Sequence, residues 1–374
     1  MRCDHLSRKL RIAYLAHSVR SDWNNGNAHF LRGLLRALGG LGHTVTTFEP
    51  ETDWSIEHLR SEPLGAQSLT DLSSTYPDLH VHTYSASDTD STWLYRLHGN
   101  DIVVLHEWNP PQLAARLLDL RRQIGFRLLF HDTHHRASSS PEQIELFQLK
   151  KFDGILAFGK VLEDIYRQRF SIQNVWTLHE AADTTVFHPL QAPDKQQDIV
   201  WIGNWGDGER SSEICEFLLD PVARLPTARA TIYGVRYPDD GLAALRDAGV
   251  FYGGYLPNLQ APAVYASSRL TVHIPRRQYA SDMPGIPTIR VFEALACGIP
   301  LLSAPWQDTE DLFRPGDLRF VTSGPEMEHA MREFLAHPAL AAEQAQRGLE
   351  TVLNRHTCDH RALQLTSICE DLLS

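Results

Sequence analysis

Three residues with complementary chemistry lie within one short stretch of the chain. Thr288 offers a hydroxyl, Arg290 a cation and Glu293 a carboxylate. The surrounding prolines and glycines predict a helix that begins at Thr288 and ends about two and a half turns later at Cys297. The free N–H groups of a helix N-terminus bind phosphate, and a carboxylate one turn deeper could hold a sugar diol. The alternative is an ordinary half-exposed salt bridge between Glu293 and Arg290.

A second group of candidate residues follows the predicted strands of the N-terminal half. If these strands form a parallel sheet, their carboxyl ends meet along one edge, where ligands bind. We therefore expect the polar clusters at these ends to line a site, although a structural role remains the alternative for each single histidine. On an extended strand the adjacent His134 and His135 would point apart. The clusters are His17-Ser18, His106-Glu107-Trp108-Asn109, His131-Asp132-Thr133-His134-His135 and His179-Glu180.

A third candidate is a glycine-rich turn in the C-terminal half. Gly203, Gly206 and Gly208 follow a predicted strand, and Arg210 precedes the next helix. Glycines let the backbone approach a diphosphate, and the guanidinium could neutralise its charge. A tight turn with a solvent-facing arginine is the alternative.

The elements that must position these residues form two strand series, which predict an α/β fold with two Rossmann-like, doubly wound domains. Residues 49–91 read as a polar, irregular stretch. A polar linker at residues 191–198 separates the two series. The predicted strands are 10–16, 45–48, 101–106, 127–131, 154–158 and 175–179, and then 199–202, 230–233, 250–252, 270–274, 301–303 and 320–321.

The composition agrees with two globular domains. The chain has 374 residues, 43% of them hydrophobic, and no apolar run reaches the ~20 residues that span a bilayer. A net charge of -11 argues against broad binding to nucleic acid. The five scattered cysteines favour reduced thiols, and the N-terminus does not read as a secretory signal, so we expect a cytoplasmic protein.

Three segments resemble GT-B glycosyltransferases. The stretch PTIRVFEALACGIPLLSAP (287–305) is similar to the nucleotide-sugar motif of the CgeB-like group, which is related to the family 4-like (group 1) enzymes. The tail VLNRHTCDHRALQL (352–365) is similar to the end of CgeB-like proteins, and the glycine- and leucine-rich segment 26–45 is similar to the opening of many GT-B enzymes. The resemblance implies a GT-B fold with an acceptor-side domain (1–188), a donor domain (189–350) and a C-terminal helix (351–374) that crosses back.

The resemblance also implies a function. We expect transfer of a sugar from a nucleoside-diphosphate sugar, such as a UDP-sugar, to an unidentified glycan, protein or small molecule, without a metal or other cofactor. His134 or His131 is the expected base or acceptor binder, with Asp132 as its orienting carboxylate. The expected donor-binding residues are Gly203, Arg210, Tyr255, Arg276, Thr288, Arg290 and Glu293, and the expected acceptor-side residues are Asn27, His106 and Glu107.

One position departs from the family 4 pattern. Retaining enzymes of that family carry two glutamates eight residues apart, but Gly285 stands eight before Glu293. Asp282 is a candidate replacement, and the stereochemical outcome stays open. A sugar-nucleotide epimerase of the same fold and a non-catalytic sugar-nucleotide-binding protein are the alternatives.

Overall fold

The computed structural model describes residues 8–191, 194–206 and 208–374, and these form two parallel β-sheets. The first sheet has the order β3-β2-β1-β4-β5-β6-β7, and the second has the order β10-β9-β8-β11-β12-β13. The strands of the first sheet are β1 (Arg11–Leu15), β2 (Thr44–Pro50), β3 (Val81–Tyr84), β4 (Ile102–His106), β5 (Arg127–Asp132), β6 (Gly154–Ala157) and β7 (Val175–Thr177). Those of the second are β8 (Gln197–Ile202), β9 (Ala230–Tyr233), β10 (Phe251–Tyr252), β11 (Ser268–His273), β12 (Leu301–Ser303) and β13 (Arg319–Phe320).

Helices follow most strands and cover the sheets. The N-terminal half contains α1 (Asn27–Gly40), α2 (Trp54–Ser61), α3 (Gly65–Thr75), α4 (Asp90–Leu97), α5 (Pro111–Ile124), α6 (Arg136–Ser139), α7 (Pro141–Glu145) and α8 (Lys160–Gln168). The C-terminal half contains α9 (Ser211–Ile214), α10 (Asp220–Ala223), α11 (Asp239–Asp247), α12 (Ala261–Ala266), α13 (Ile289–Ala296), α14 (Gly324–Ala336), α15 (Pro338–Arg355) and α16 (Cys358–Leu373). A π-helical turn (Cys215–Leu219) joins α9 to α10, and a second one (Gln278–Asp282) precedes α13.

The central strands are buried on both faces because helices cover each side of a parallel sheet. All residues of β4 and β6 are buried, and Ile12 of β1 pairs with Val45 on one side and Ile102 on the other. These continuous apolar runs are the reason the strands were predictable, and all twelve predicted strands are present. The α/β class and the GT-B arrangement of two Rossmann-like domains are therefore confirmed.

The prediction of an irregular stretch at residues 49–91 is wrong. The segment contains α2, α3, the edge strand β3 and the start of α4. Asp53 caps α2 by accepting hydrogen bonds from the backbone N–H groups of Ser55 and Ile56. The helices are mostly polar and half-exposed, so their apolar periodicity is weak in the sequence.

The last two helices connect the two halves of the chain. α15 packs against α13 and ends at Arg355, so the predicted boundary after residue 350 falls inside this helix. Thr357 then forms a bridge with Ala182, and α16 packs along α1. The expected C-terminal helix that crosses back to the N-terminal domain is present. The division between the first two domains after residue 188 remains a prediction.

The side chains of Asp22, Asn24, His29 and His179 in the N-terminal half form hydrogen bonds across a cleft between the two sheets. Asp22 accepts hydrogen bonds from the Tyr255 hydroxyl and from the backbone N–H of Asn258. The side chains of Asn24 and Asn204 are hydrogen-bonded. The other two contacts are His29 with Glu293 at 2.9 Å and His179 with Glu310 at 2.8 Å.

Candidate active site

The cleft lies between the carboxyl ends of the strands of both sheets, where parallel α/β domains bind ligands. The N-terminal half contributes the loop after β1, which contains Asp22 and Asn24. The C-terminal half contributes the ends of β8, β9 and β11 and the N-terminus of α13. Six of the seven predicted donor-binding residues line the cleft, namely Gly203, Arg210, Tyr255, Arg276, Thr288 and Arg290.

The helix α13 begins where the sequence predicted, immediately after Thr288. The Thr288 backbone is extended (φ -77°, ψ 161°), but its hydroxyl makes no capping hydrogen bond. It instead lies 3.2 Å from Nε2 of His273, which also faces the cleft. The prediction of the helix start is confirmed, whereas the hydroxyl does not act as the cap.

Three guanidinium groups border the cleft in different settings. Arg210 donates to the carbonyls of Asn204 (2.7 Å) and Ile274 (3.2 Å), and it lies over the Trp201 ring. These neutral partners leave its charge uncompensated, and burial lowers the pKa of Arg210 to about 10. Arg276 pairs with Glu209, and Arg290 pairs with Glu293. Arg210 is therefore the cation most available to an anionic ligand.

Glu293 is fully buried and does not line the cleft. Its Oε1 accepts from His29 Nδ1 at 2.9 Å and from Asn258 Nδ2 at 3.1 Å. The Asp183 backbone N–H donates to Nε2 of the same imidazole, which leaves the proton on Nδ1. Burial opposes ionisation, but Arg290 and His29 outweigh it and lower the pKa of Glu293 to about 2. The expected half-exposed salt bridge is thus a buried network that joins both halves of the chain.

Glu180 is a functional candidate that the sequence placed only among the polar strand ends. It is 3% exposed, its Oε1 has no hydrogen-bond partner, and it accepts from the backbone N–H of Ile289 at the start of α13. Burial and then the nearby charge of Glu293 raise the pKa of Glu180 to about 8. A neutral carboxyl therefore lies at the helix N-terminus that faces the cleft.

The glycine turn fits closely against its neighbours. A Cβ on Gly203 would lie 2.6 Å from the Trp201 ring, and a Cβ on Gly234 would lie 2.2 Å from the Gly203 carbonyl oxygen. The two turns that end β8 and β9 thus lie in contact at the cleft, and only glycine permits this approach. Gly203, a candidate from its spacing, thus lies at the cleft, and its role in donor binding stays a prediction.

On the N-terminal side, His131 and Asp132 are both buried at the end of β5. The Tyr14 hydroxyl lies 2.5 Å from His131 Nδ1, and burial lowers the pKa of His131 to about 3. Asp132 accepts from the Tyr166 hydroxyl (2.6 Å) and from the backbone N–H of His134 (3.0 Å). The prediction that Asp132 orients an imidazole is therefore wrong in this structure, because its carboxylate holds the backbone instead.

His134 and His135 do not point apart as expected. β5 ends at Asp132, so both histidines lie in a turn, and their ring centroids are 4.0 Å apart. His134 Nδ1 has no hydrogen-bond partner, and burial lowers the pKa of His134 well below its usual range. His135 contacts Tyr279, which lines the cleft. His135 therefore lies next to the cleft, a position that the sequence did not reveal.

The three predicted acceptor-side residues converge on the same edge. Asn27 Nδ2 donates to Thr133 Oγ1 at 2.6 Å, and His106 Nε2 lies 3.0 Å from that hydroxyl. Glu107 is buried and pairs with Arg136. None of the three lines the donor cleft. They form the polar floor behind the loops of the N-terminal half.

The structure explains the missing first glutamate in physical terms. Gly285 has φ +91°, and a Cβ there would lie 2.6 Å from Thr309 Oγ1 and 3.0 Å from Glu310 Oε1. A glutamate does not fit at this position. The candidate replacement Asp282 is exposed, accepts from the Ser281 hydroxyl and does not line the cleft, so the structure does not support it.

The residues that the structure describes contain no cluster of three or more His, Cys, Asp or Glu side chains arranged to hold a metal ion. Within residues 8–191, 194–206 and 208–374, no helix has the length and apolar character needed to cross a membrane.

Two facing Rossmann-like domains with a crossing C-terminal helix define the GT-B class. Residues 210–367 match the family described as glycosyl transferase-like. The chain therefore has the GT-B fold, and its residues 210–367 are similar to the glycosyl transferase-like family. No curated protein sequence matches the chain at a significant level.

Solved structures share the fold over nearly the whole chain. Sucrose-phosphate synthase from Thermosynechococcus elongatus is 17% identical, with a TM-score of 0.66 and coverage of 98% of this chain and 99% of that one. HepE from Anabaena, solved with UDP and glucose, is 13% identical, with a TM-score of 0.69 and coverage of 96% and 98%. A glycosyltransferase from Rickettsia africae is 11% identical, with a TM-score of 0.69 and coverage of 98% and 99%. Membership of the CgeB-like group remains a prediction.

Proposed function

We propose that this enzyme transfers a sugar from a UDP-sugar, bound in the cleft, to an acceptor held by the loops of the N-terminal half. Arg210 and the N-terminus of α13 meet in one cleft, and this observation carries the donor assignment. Among the described residues, Arg210 donates to backbone carbonyls and has no carboxylate partner. Both features favour a diphosphate. The choice of UDP is supported by HepE, whose fold is the same and which was solved with UDP.

Leaving-group stabilisation in this proposal comes from fixed charges and dipoles. Arg210, Arg276 and Arg290 surround the cleft, and the α13 N–H groups face it. Preorganised donors of this kind stabilise charge that develops in the transition state. The proposal therefore requires no divalent metal.

Glu293 has a different role in the proposal from the one expected from the sequence. Both of its carboxylate oxygens are already hydrogen-bonded, so it could hold a ribose diol only after releasing His29 and Asn258. We assign it the positioning of Arg290 at the donor. This role still makes donor binding depend on Glu293.

For the acceptor side, we keep His134 and His131 as the proposed base or acceptor binder. Each imidazole has one ring nitrogen without a partner, Nδ1 in His134 and Nε2 in His131, and His134 suits the base better because it is half-buried whereas His131 is fully buried. Both imidazoles are held neutral by burial, which lowers each pKa, so a lone pair is available near pH 7. Asn27, His106 and Glu107 would support the same side of the site.

A cytoplasmic location belongs to the proposal. The four cysteines in the described part of the chain, Cys215, Cys297, Cys358 and Cys369, are free thiols. Free, buried thiols are typical of proteins from reducing compartments.

The proposal is tested first by ligand binding. A panel of UDP-, GDP- and ADP-sugars is screened by thermal shift, since a ligand at 100 times its dissociation constant stabilises the folded state by about 2.7 kcal/mol. We expect a UDP-sugar to raise the melting temperature of the wild type, and Arg210→Met to reduce this shift. Arg246→Gln, on α11 outside the cleft, is the matched control.

Turnover then separates the candidate activities. We expect UDP release to depend on an added acceptor and to continue in EDTA. Formation of a new UDP-sugar without any acceptor identifies an epimerase instead. Loss of turnover in EDTA that magnesium or manganese restores contradicts metal independence, and the absence of any nucleotide-sugar shift contradicts the donor assignment.

A further inference from the structure

A row of aromatic rings leads from the surface of the N-terminal half to the donor cleft. We name it the aromatic track, and its rings in order are Trp54, His17, Trp108, His134, His135 and Tyr279. Consecutive ring centroids are 6.4, 6.2, 4.9, 4.0 and 5.6 Å apart. The last ring, Tyr279, lines the donor cleft.

The outer part of the track exposes large apolar faces. The relative exposure is 42% for Trp54 and 39% for Trp108, although indoles are usually well buried. The Arg136 guanidinium lies 4.2 Å from the centroid of the Trp108 ring and covers one face of this ring. Rigid, partly exposed tryptophans are typical of binding surfaces.

The track also carries buried polar atoms without partners. His17 is 7% exposed, and neither of its ring nitrogens makes a hydrogen bond. His134 Nδ1 on the track has no hydrogen-bond partner either, and neither do Nδ1 of His106 and Oε1 of Glu107 beside the track. Buried polar groups almost always have partners, so such a concentration indicates that a ligand or water supplies them. The missing partners must themselves be able to donate and accept hydrogen bonds.

We propose that the acceptor is an uncharged oligosaccharide of at least two residues, which lies on the aromatic track with its accepting hydroxyl beside Tyr279. This inference rests on the proposed function and adds the class of acceptor. A sugar ring has an apolar C–H face that covers an indole and a rim of hydroxyls that satisfy imidazole nitrogens. A flat aromatic acceptor would cover the tryptophans but leave the nitrogens without partners.

A neutral acceptor fits the charges along the track better than an anionic acceptor. Arg136, whose guanidinium lies over Trp108, is already paired with Glu107, so its charge is not free to bind a phosphate or carboxylate. The net charge of -11 also opposes a polyanion such as DNA. The track runs through five centroid-to-centroid distances of 4.0 to 6.4 Å, so it is longer than a monosaccharide.

The test measures saccharide binding in the presence of saturating UDP. Saturation-transfer NMR compares glucose, maltose, maltotriose, cellotriose and chitotriose, and an array of neutral oligosaccharides extends the panel. We expect at least one trisaccharide to bind about tenfold more tightly than its monosaccharide. Trp54→Ala and Trp108→Ala should each weaken this binding about tenfold, and Trp108→Phe should weaken it less because it keeps a ring.

Tyr95→Ala is the matched control, because Tyr95 is an aromatic residue with 87% exposure on α4 and is not part of the track. Its saccharide binding should equal that of the wild type. UDP affinity is measured on every variant and should not change in Trp54→Ala or Trp108→Ala. The inference is overturned if no neutral saccharide binds, if mono- and trisaccharides bind equally, or if the tryptophan variants match Tyr95→Ala. If UDP still binds in those cases, only the class of acceptor is wrong and the proposed function is not contradicted.

Discussion

At the scale of single residues, two buried carboxyl groups at α13 have opposite electrostatic settings. Glu293 has Arg290 as its counter-charge and accepts from His29. Glu180 has an unpartnered oxygen and the negative Glu293 nearby. One carboxyl is therefore held ionised and the other neutral, although the two residues share an environment.

For Glu293→Gln we expect a loss of stability of about 3 kcal/mol near neutral pH, because the half-buried Arg290 and the buried His29 lose their anionic partner. The pKa of Glu293, about 2, lies below its ordinary value of 4.5. The stabilisation by the ionised carboxylate is therefore present above pH 4.5 and lost as the pH falls toward 2. Urea unfolding from pH 3 to 8 should show a difference from wild type that shrinks below pH 4.5.

The same variant should weaken UDP binding about 10- to 150-fold, since Arg290 loses the carboxylate that positions it. Calorimetric titration measures this affinity. Glu343→Gln, at an exposed site on α15, is the control and should change neither quantity. Unchanged UDP affinity in Glu293→Gln would show that this residue has no part in donor binding.

Glu180→Gln should have the reverse pH dependence. The pKa of Glu180, about 8, lies above its ordinary value of 4.5, so the folded state holds a proton that the unfolded state releases. The wild type therefore loses stability as the pH rises from about 4.5 to about 8, and the glutamine variant avoids this loss. Urea midpoints at pH 5 and pH 8 measure it. A variant whose advantage does not grow with pH contradicts a neutral Glu180.

At the scale of elements, the loop before α13 determines which residues reach the cleft. Gly285 requires positive φ, and its N–H donates to the Gln307 carbonyl at 2.7 Å. This contact fixes the entry into the helix close to Thr309 and Glu310. The loop therefore has no room for the glutamate that family 4 enzymes carry.

We expect Gly285→Glu to lower stability by about 2 kcal/mol or more and to leave turnover no higher than in the wild type. A glutamate at this position would have to adopt the unfavourable positive φ of Gly285, and its Cβ would lie 2.6 Å from Thr309 Oγ1. Thermal unfolding and UDP release measure the two effects. Gly39→Ala in α1, where a Cβ meets nothing within 4 Å, should instead be neutral or stabilising. A folded Gly285→Glu enzyme with raised turnover contradicts this interpretation of the loop.

At the scale of the whole molecule, α16 ties the C-terminal end of the chain to the N-terminal domain. One face of the helix packs on α1, and His43 Nε2 lies 2.9 Å from Thr366 Oγ1. Arg361 donates to the His179 carbonyl in the segment between the two sheets. The helix thus stabilises the part of the N-terminal domain that carries His29 and the segment that carries Glu180.

Two leucines on this helix provide a matched test. Leu365 is fully buried, whereas Leu363 is 56% exposed. Leu365→Ala should reduce stability by about 2–5 kcal/mol, because it leaves a cavity against α1, and Leu363→Ala should stay within about 0.5 kcal/mol of the wild type. Chemical denaturation measures both. Equal effects of the two substitutions would mean that α16 does not pack as described.

The sequence by itself determined the fold class, the positions of the strands and the start of α13. Strand runs such as β4 and β6 are apolar on both faces, and glycine and proline limit where a helix begins, so these signals are local. The sequence also indicated six residues that line the cleft, because the residues of a βα turn lie at the carboxyl end of its strand. The weakly amphipathic helices of residues 49–91 gave no comparable local signal.

Only the tertiary structure decided what each side chain faces. Glu293 is buried because His29 and Asn258 approach it from elements far away in the chain, and Asp132 binds Tyr166 and a backbone N–H rather than an imidazole. The rings of the aromatic track likewise come from chain segments that follow four different strands and from the segment before α13. Burial and pairing of charges depend on contacts distant in sequence, so residue spacing did not determine them.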